Sequence, residues 1–147
     1  MEEARVHFTR AKGLFEMSHD HGVNGSKFAW ATKYAQSLIA YAAFLDDESS
    51  YEEAGRLYEL AGNIARGSSL QQETRVNFHH ARHYYRHGLA LWYDRRPDEA
   101  SRMMLLAEKC MLQDKPYASV AGDGAWKQQM EQIREVLRFF KLTGIGK

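Results

Sequence analysis

A chain of 147 residues, 44% apolar and 27% charged with only two prolines, can bury a core and is not a disordered polymer. Its 18 alanines and 13 leucines, against a valine, isoleucine and threonine total of 13, predict an all-helical fold and exclude a sheet protein. Twenty Lys plus Arg balance 19 Asp plus Glu, so any preference for nucleic acid or an acidic partner has to come from a local patch.

The punctuation of the chain divides a single domain, 1–147, into six predicted helices. The first, about 2–18, opens Glu3-Ala4 and carries Phe8 and Ala11. A loop at Gly22-Val23-Asn24-Gly25-Ser26 leads to the second, about 26–46, where Ala31, Tyr34, Ala35, Leu38, Tyr41, Ala42 and Leu45 form one stripe. The acids Asp46, Asp47, Glu48, Glu52 and Glu53 follow and read as a solvated turn. Ser50 and Glu53 form a capping-box pattern for the third helix, about 51–66, with Gly67 as its stop. Ser69 and Gln72 repeat the pattern for the fourth, about 70–94. Pro97, followed by Asp98 and Glu99, suits the donor-free first turn of the fifth, about 97–113. After Gly122-Asp123-Gly124 the sixth, about 124–142, shows a stripe of Trp126, Met130, Ile133, Leu137 and Phe140 and ends at Gly144.

Three of these helices share one pattern. Glu3-Ala4, Glu53-Ala54 and Glu99-Ala100 are each followed by a large apolar residue four positions after the alanine (Phe8, Tyr58, Met104) and by a second alanine three later (Ala11, Ala61, Ala107). Small residues at these spacings let two helices approach closely, so Ala54, Ala61, Ala100 and Ala107 are expected in the core. Gly88, Ala100, Met104 and Ala107, with Tyr84 four residues before the glycine, resemble the tetratricopeptide pattern. Leu38, Ala42, Leu45, Ala54, Tyr58 and Ala61 look like a second copy, giving repeat-like units at about 26–66 and 70–113 and partial units at both ends. The copies lie 50 residues (Ala4 to Ala54) and 46 residues (Ala54 to Ala100) apart, longer than that family's period, and the closing proline is missing.

The resemblance implies stacked antiparallel hairpins and a non-enzymatic module that binds a protein or peptide segment in a groove. The groove face of the fourth helix would present Arg82, Tyr85, Arg86, Leu89 and Trp92, residue types that dominate binding hot spots. Relatives that hold carboxyl-terminal tails use a lysine and asparagine clamp; those positions read Tyr85 and Leu89 here, and Ile39 and Ala43 in the preceding copy, so that clamp is absent.

The fourth helix is also the chemically unusual one. From Arg75 to Gly88 it holds Arg75, Arg82, Arg86, His79, His80, His83 and His87 and no acid. Histidines four apart can hold a metal, but a carboxylate shell is missing and the tetratricopeptide register makes His87 a core residue, so neither metal nor cofactor is expected. Arg75 with His80, and Arg82 with His87, resemble the arginine–histidine motif of the HEPN superfamily. The alternative reading is therefore a ribonuclease or RNA-binding protein in which arginine neutralises the phosphate and histidine moves the proton of the 2′-hydroxyl. Nucleic acid is the less favoured partner.

The lone Cys110 excludes an intrachain disulfide and a zinc framework and suits a reducing, cytoplasmic setting. Its apolar surroundings mark it as an inert thiol. The charged start, Met1-Glu2-Glu3-Ala4-Arg5, and the want of an apolar run of bilayer length argue against secretion and membrane insertion. Beside its main stripe the sixth helix carries Val136, Phe139 and Leu142, a second apolar group expected to pair with another chain, most simply in a homodimer.

Overall fold

The computed structural model describes residues 6, 9, 10, 27–67, 74–113 and 124–145. Among them five helices are found and no strand: α1 (Lys27–Asp47), α2 (Tyr51–Gly67), α3 (Val76–Tyr93), α4 (Pro97–Gln113) and α5 (Gly124–Leu142). The fold is all-α, as the composition predicts. The predicted first helix lies outside the described residues apart from Val6, Thr9 and Arg10, which are helical. No described helix is long and apolar enough to cross a membrane.

The chain divides into two compact units, Met1–Val76 and Asn77–Lys147. In the first, α1 and α2 form an antiparallel hairpin. All seven residues of the predicted α1 stripe are buried against Ala54, Leu57, Tyr58, Ala61 and Ala65 of α2. The fully buried Leu38 and Leu45 each contribute about 1.5–3 kcal/mol by leaving water.

In the second unit α3 and α4 approach at small residues. A Cβ added to Gly88 would lie 3.0 Å from Met104 Cε and 3.3 Å from the Ala100 carbonyl oxygen, tighter than most such contacts, so glycine eases the close approach. Helix α5 then runs antiparallel to α4 and parallel to α3. The indole Nε1 of Trp126 donates to the Met111 carbonyl (3.1 Å), and Arg134, further along α5, meets Glu108, further back on α4 (3.4 Å). On the other side, Gln129 Nε2 donates to the Phe78 carbonyl at the start of α3 (2.9 Å), while Phe140 packs on Trp92 near its end (ring centroids 5.4 Å).

Three helices end in the same way. The Ser50 N–H donates back to the Leu45 carbonyl (2.8 Å), Arg96 N–H to Leu91 (2.9 Å) and Ile145 N–H to Phe140 (2.8 Å). The residue before each donor is left-handed: Ser49 (φ 62°), Arg95 (φ 62°) and Gly144 (φ 80°). The apolar residue whose carbonyl accepts is buried each time. This is the Schellman closure, which satisfies carbonyls that a helix end leaves orphaned. The first two closures lie 46 residues apart, the offset that also separates Ala54 from Ala100. Each leads straight into the next helix, with Ala54 N–H donating to the Ser50 carbonyl and Ala100 N–H to that of Arg96, both at 3.0 Å.

Ala54, Ala61, Ala100 and Ala107 are all fully buried, as their spacing predicts. Other expectations are corrected. Arg75 has φ 53°, a conformation a right-handed helix cannot contain, so the helix that carries the histidines starts at Val76, while the predicted helix start near 70 with its capping box at Ser69 and Gln72 lies outside the described residues. Gly67 belongs to α2 and does not stop it from outside. Asp46 is 2% exposed and therefore not part of a solvated acidic turn, whereas Asp47, Glu48 and Glu52 are exposed.

Replacing Ala61 or Ala107 with leucine should overpack a helix crossing and lower stability by about 1–3 kcal/mol in urea unfolding. At the left-handed Arg95, Arg95→Gly removes a steric cost of about 1–2 kcal/mol and adds about 0.5–1 kcal/mol of chain entropy, so the urea midpoint should rise, whereas Arg95→Val should lower it.

Candidate binding surface

Helix α3 has three differently occupied sides. Ala81, Gly88 and Leu91 are buried on the side that meets α4. A second side carries a column of rings: His80 stacks on Tyr84 (4.4 Å), and His83 lies 5.4 Å from Tyr84 and 5.9 Å from His87. His83, 2% exposed, is the buried histidine, while His87, expected in the core, is half-buried. His79 stands edge-on to Phe78 (5.6 Å). Among the described residues no three His, Cys, Asp or Glu side chains converge as metal ligands.

The third side holds the residues expected to bind. Arg82 is exposed, with no acidic partner among the described residues; Arg86 is half-buried. Tyr85, Leu89 and Trp92 are half-buried and pack into the core that α4 and α5 build. Trp92 meets Phe139 edge-on (5.5 Å) and lies tilted against Phe140. The five predicted residues thus form a floor of Tyr85, Leu89 and Trp92, shared with α5, a half-buried Arg86 and one guanidinium, that of Arg82, at the surface. Tyr93 was not among them. It lies eleven positions after Arg82, about 20° away around the helix, and is 81% exposed. That spacing is the signal by which the sequence could have revealed it.

The arginine–histidine pairs are arranged differently. Arg82 and His87 are five residues apart, about 140° around α3, and so occupy different sides. Arg75 stands on the left-handed residue before the helix, and His80 is half-buried against Tyr84. Cys110 is half-buried beside the Ala107 and Met111 cluster.

On α5, Phe139 is 47% and Leu142 87% exposed, while Val136 is half-buried in the core beside Leu137. Trp92 of the same chain therefore covers part of the second apolar face. The other flank of α5 forms a cleft with α4 of about 530 Å³, lined by Leu105, Glu108, Arg134, Arg138, Phe140 and Lys141 among others. No sequence pattern pointed to it, because it exists only where α4 and α5 lie side by side. No known protein-family model, curated protein or solved structure matches the chain.

Burial pushes the Tyr85 phenol above its ordinary 10.0, and the nearby Glu135 carboxylate and Tyr93 push in the same direction. Its neutral form is favoured in the fold, so the stability tied to it is fully present below pH 10 and is lost as the pH rises through the folded value. Tyr85→Phe should flatten the alkaline limb of the stability profile above pH 10, and one phenol titrating above its ordinary value in a near-ultraviolet absorbance titration should vanish with it.

Proposed function

We propose that the chain is a non-enzymatic helical-hairpin module, tetratricopeptide-like in construction, that binds an acidic partner segment along the side of α3 that carries Arg82 and Tyr93. The observation that carries this reading is the juxtaposition of the exposed Arg82 and Tyr93 with the half-buried floor of Tyr85, Leu89 and Trp92. Aromatic rings backed by a packed core lose little entropy on binding, and a guanidinium adds bidentate recognition of carboxylates. The tetratricopeptide likeness is supported by the glycine seat at Gly88 and by two identical helix closures 46 residues apart. The half-buried lone thiol suits a cytoplasmic setting.

A displayed random-peptide library should enrich Asp- and Glu-containing segments on the wild-type protein. Their affinity should fall at least tenfold, about 1.4 kcal/mol, in an Arg82→Glu, Arg86→Glu variant. Enrichment that survives the charge reversal would exclude this surface. Cleavage of a mixed-sequence RNA that disappears in His87→Ala would replace the reading with the ribonuclease one.

The exposure of Phe139 and Leu142 favours a second use of the same unit, the pairing of two copies through Val136, Phe139 and Leu142. Light scattering behind a sizing column should then give twice the chain mass at tens of micromolar, reverting to the chain mass in Phe139→Glu.

A further inference from the structure

The cleft between α4 and α5 lies on the opposite flank of α5 from Phe139 and is independent of the α3 surface. Its floor is apolar, made by Leu105 of α4, Leu137 and Phe140 of α5, and Ile145 beyond the closure that ends α5. Its rim is cationic. Arg134, Arg138 and Lys141 stand along α5 at spacings of four and three, over about 11 Å of helix. The only acid in the lining, Glu108, is engaged by Arg134 at 3.4 Å. Arg138 and Lys141 are exposed and have no acidic partner among the described residues.

We propose that this cleft is a docking site for an acidic amphipathic helix of a partner protein. Two antiparallel helices with an apolar trough between them accept a third helix through its apolar face, the helix-in-groove mode of recognition. Within this unit α3 and α4 show what such a neighbour requires, since Ala100 and Ala107 on α4 let it lie close. Charge selects the guest. Two copies of this chain facing each other across the cleft would set Arg138 and Lys141 of one against the same two cations of the other, so symmetric self-pairing is disfavoured here. A helix with aliphatic and small residues inward and glutamates outward would neutralise Arg138 and Lys141 while covering the exposed Leu105.

The test uses two synthetic helical peptides of about five turns, identical on a leucine and alanine face and carrying either glutamate or lysine on the other. By fluorescence anisotropy the glutamate peptide should bind the 147-residue chain at least tenfold more tightly than its lysine twin, and more weakly as salt is raised. The Arg138→Glu, Lys141→Glu variant should reverse that preference, and Leu105→Asp should weaken both peptides. The reversed residues are exposed, so the variant's helix content and urea midpoint should match the wild type, and the reversal of preference is a readout that misfolding cannot produce. Equal binding of the two peptides, or binding indifferent to the charge reversal, would overturn the proposal. So would a wild-type protein that ignores both peptides but holds dodecanoate, because the cleft would then be a small-carboxylate site.

Discussion

The distance between helix axes is the constraint on which the rest of this structure depends. At Gly88 the α3 backbone lies so close to α4 that a single added carbon would sit 3.0 Å from Met104 Cε and 3.3 Å from the Ala100 carbonyl oxygen, and the neighbours would have to give by a few tenths of an ångström. The same requirement places fully buried alanines at Ala35, Ala42, Ala54 and Ala61 in the first unit and at Ala81, Ala100 and Ala107 in the second. Bulky residues then fill the grooves beside those contacts: Leu38, Leu45 and Tyr58 in one unit, Met104, Met111 and Ile133 in the other. Because α3 and α4 are drawn together, α5 can touch both at once. Buried Gln129 marks that junction, donating to the Phe78 carbonyl of α3 and lying 3.1 Å from the Met111 sulfur of α4.

Helix α3 shows how a polar sequence is used in such a unit. Three arginines and four histidines between Arg75 and Gly88 would be costly in an apolar interior unless each is partnered or at the surface. The helix resolves this by side. Its small residues face α4, its imidazoles lie against Phe78, Tyr84 and one another, and Arg82 stays in water. The aromatic floor between these sides is where α5 arrives, which is why Tyr85 is buried enough to hold its proton and lies within reach of Glu135.

Much of this was legible in the sequence because it repeats with the period of a helix. The α1 stripe, the α5 stripe, the acid-alanine openings of α2 and α4 and the glycine stop at Gly144 all follow from local spacing. The stops at Ser49 and Arg95 were not legible, since neither is glycine or asparagine; the closure is imposed by the buried Leu45 and Leu91 behind them. Burial of His83 rather than His87, and of Asp46 within an acidic run, depends on which side of a helix is covered, and composition does not encode that. On the binding surface the arginines stood out as charge. The cover that Phe139 and Phe140 give Trp92 came from a parallel pairing of α3 with α5, across a separation that periodicity cannot register.

The tight helix ends also bear on how the chain reaches its folded state. Only Glu48, Ser49 and Ser50 separate α1 from α2, and only Asp94, Arg95 and Arg96 separate α3 from α4. Closing so short a loop forfeits little entropy, and most of the core of each hairpin joins residues near in sequence. Helical proteins of low contact order fold on the order of microseconds to milliseconds. Either hairpin can therefore form as soon as its own residues have been synthesised, with its alanine seam assembled before more distant chain is available to compete for it.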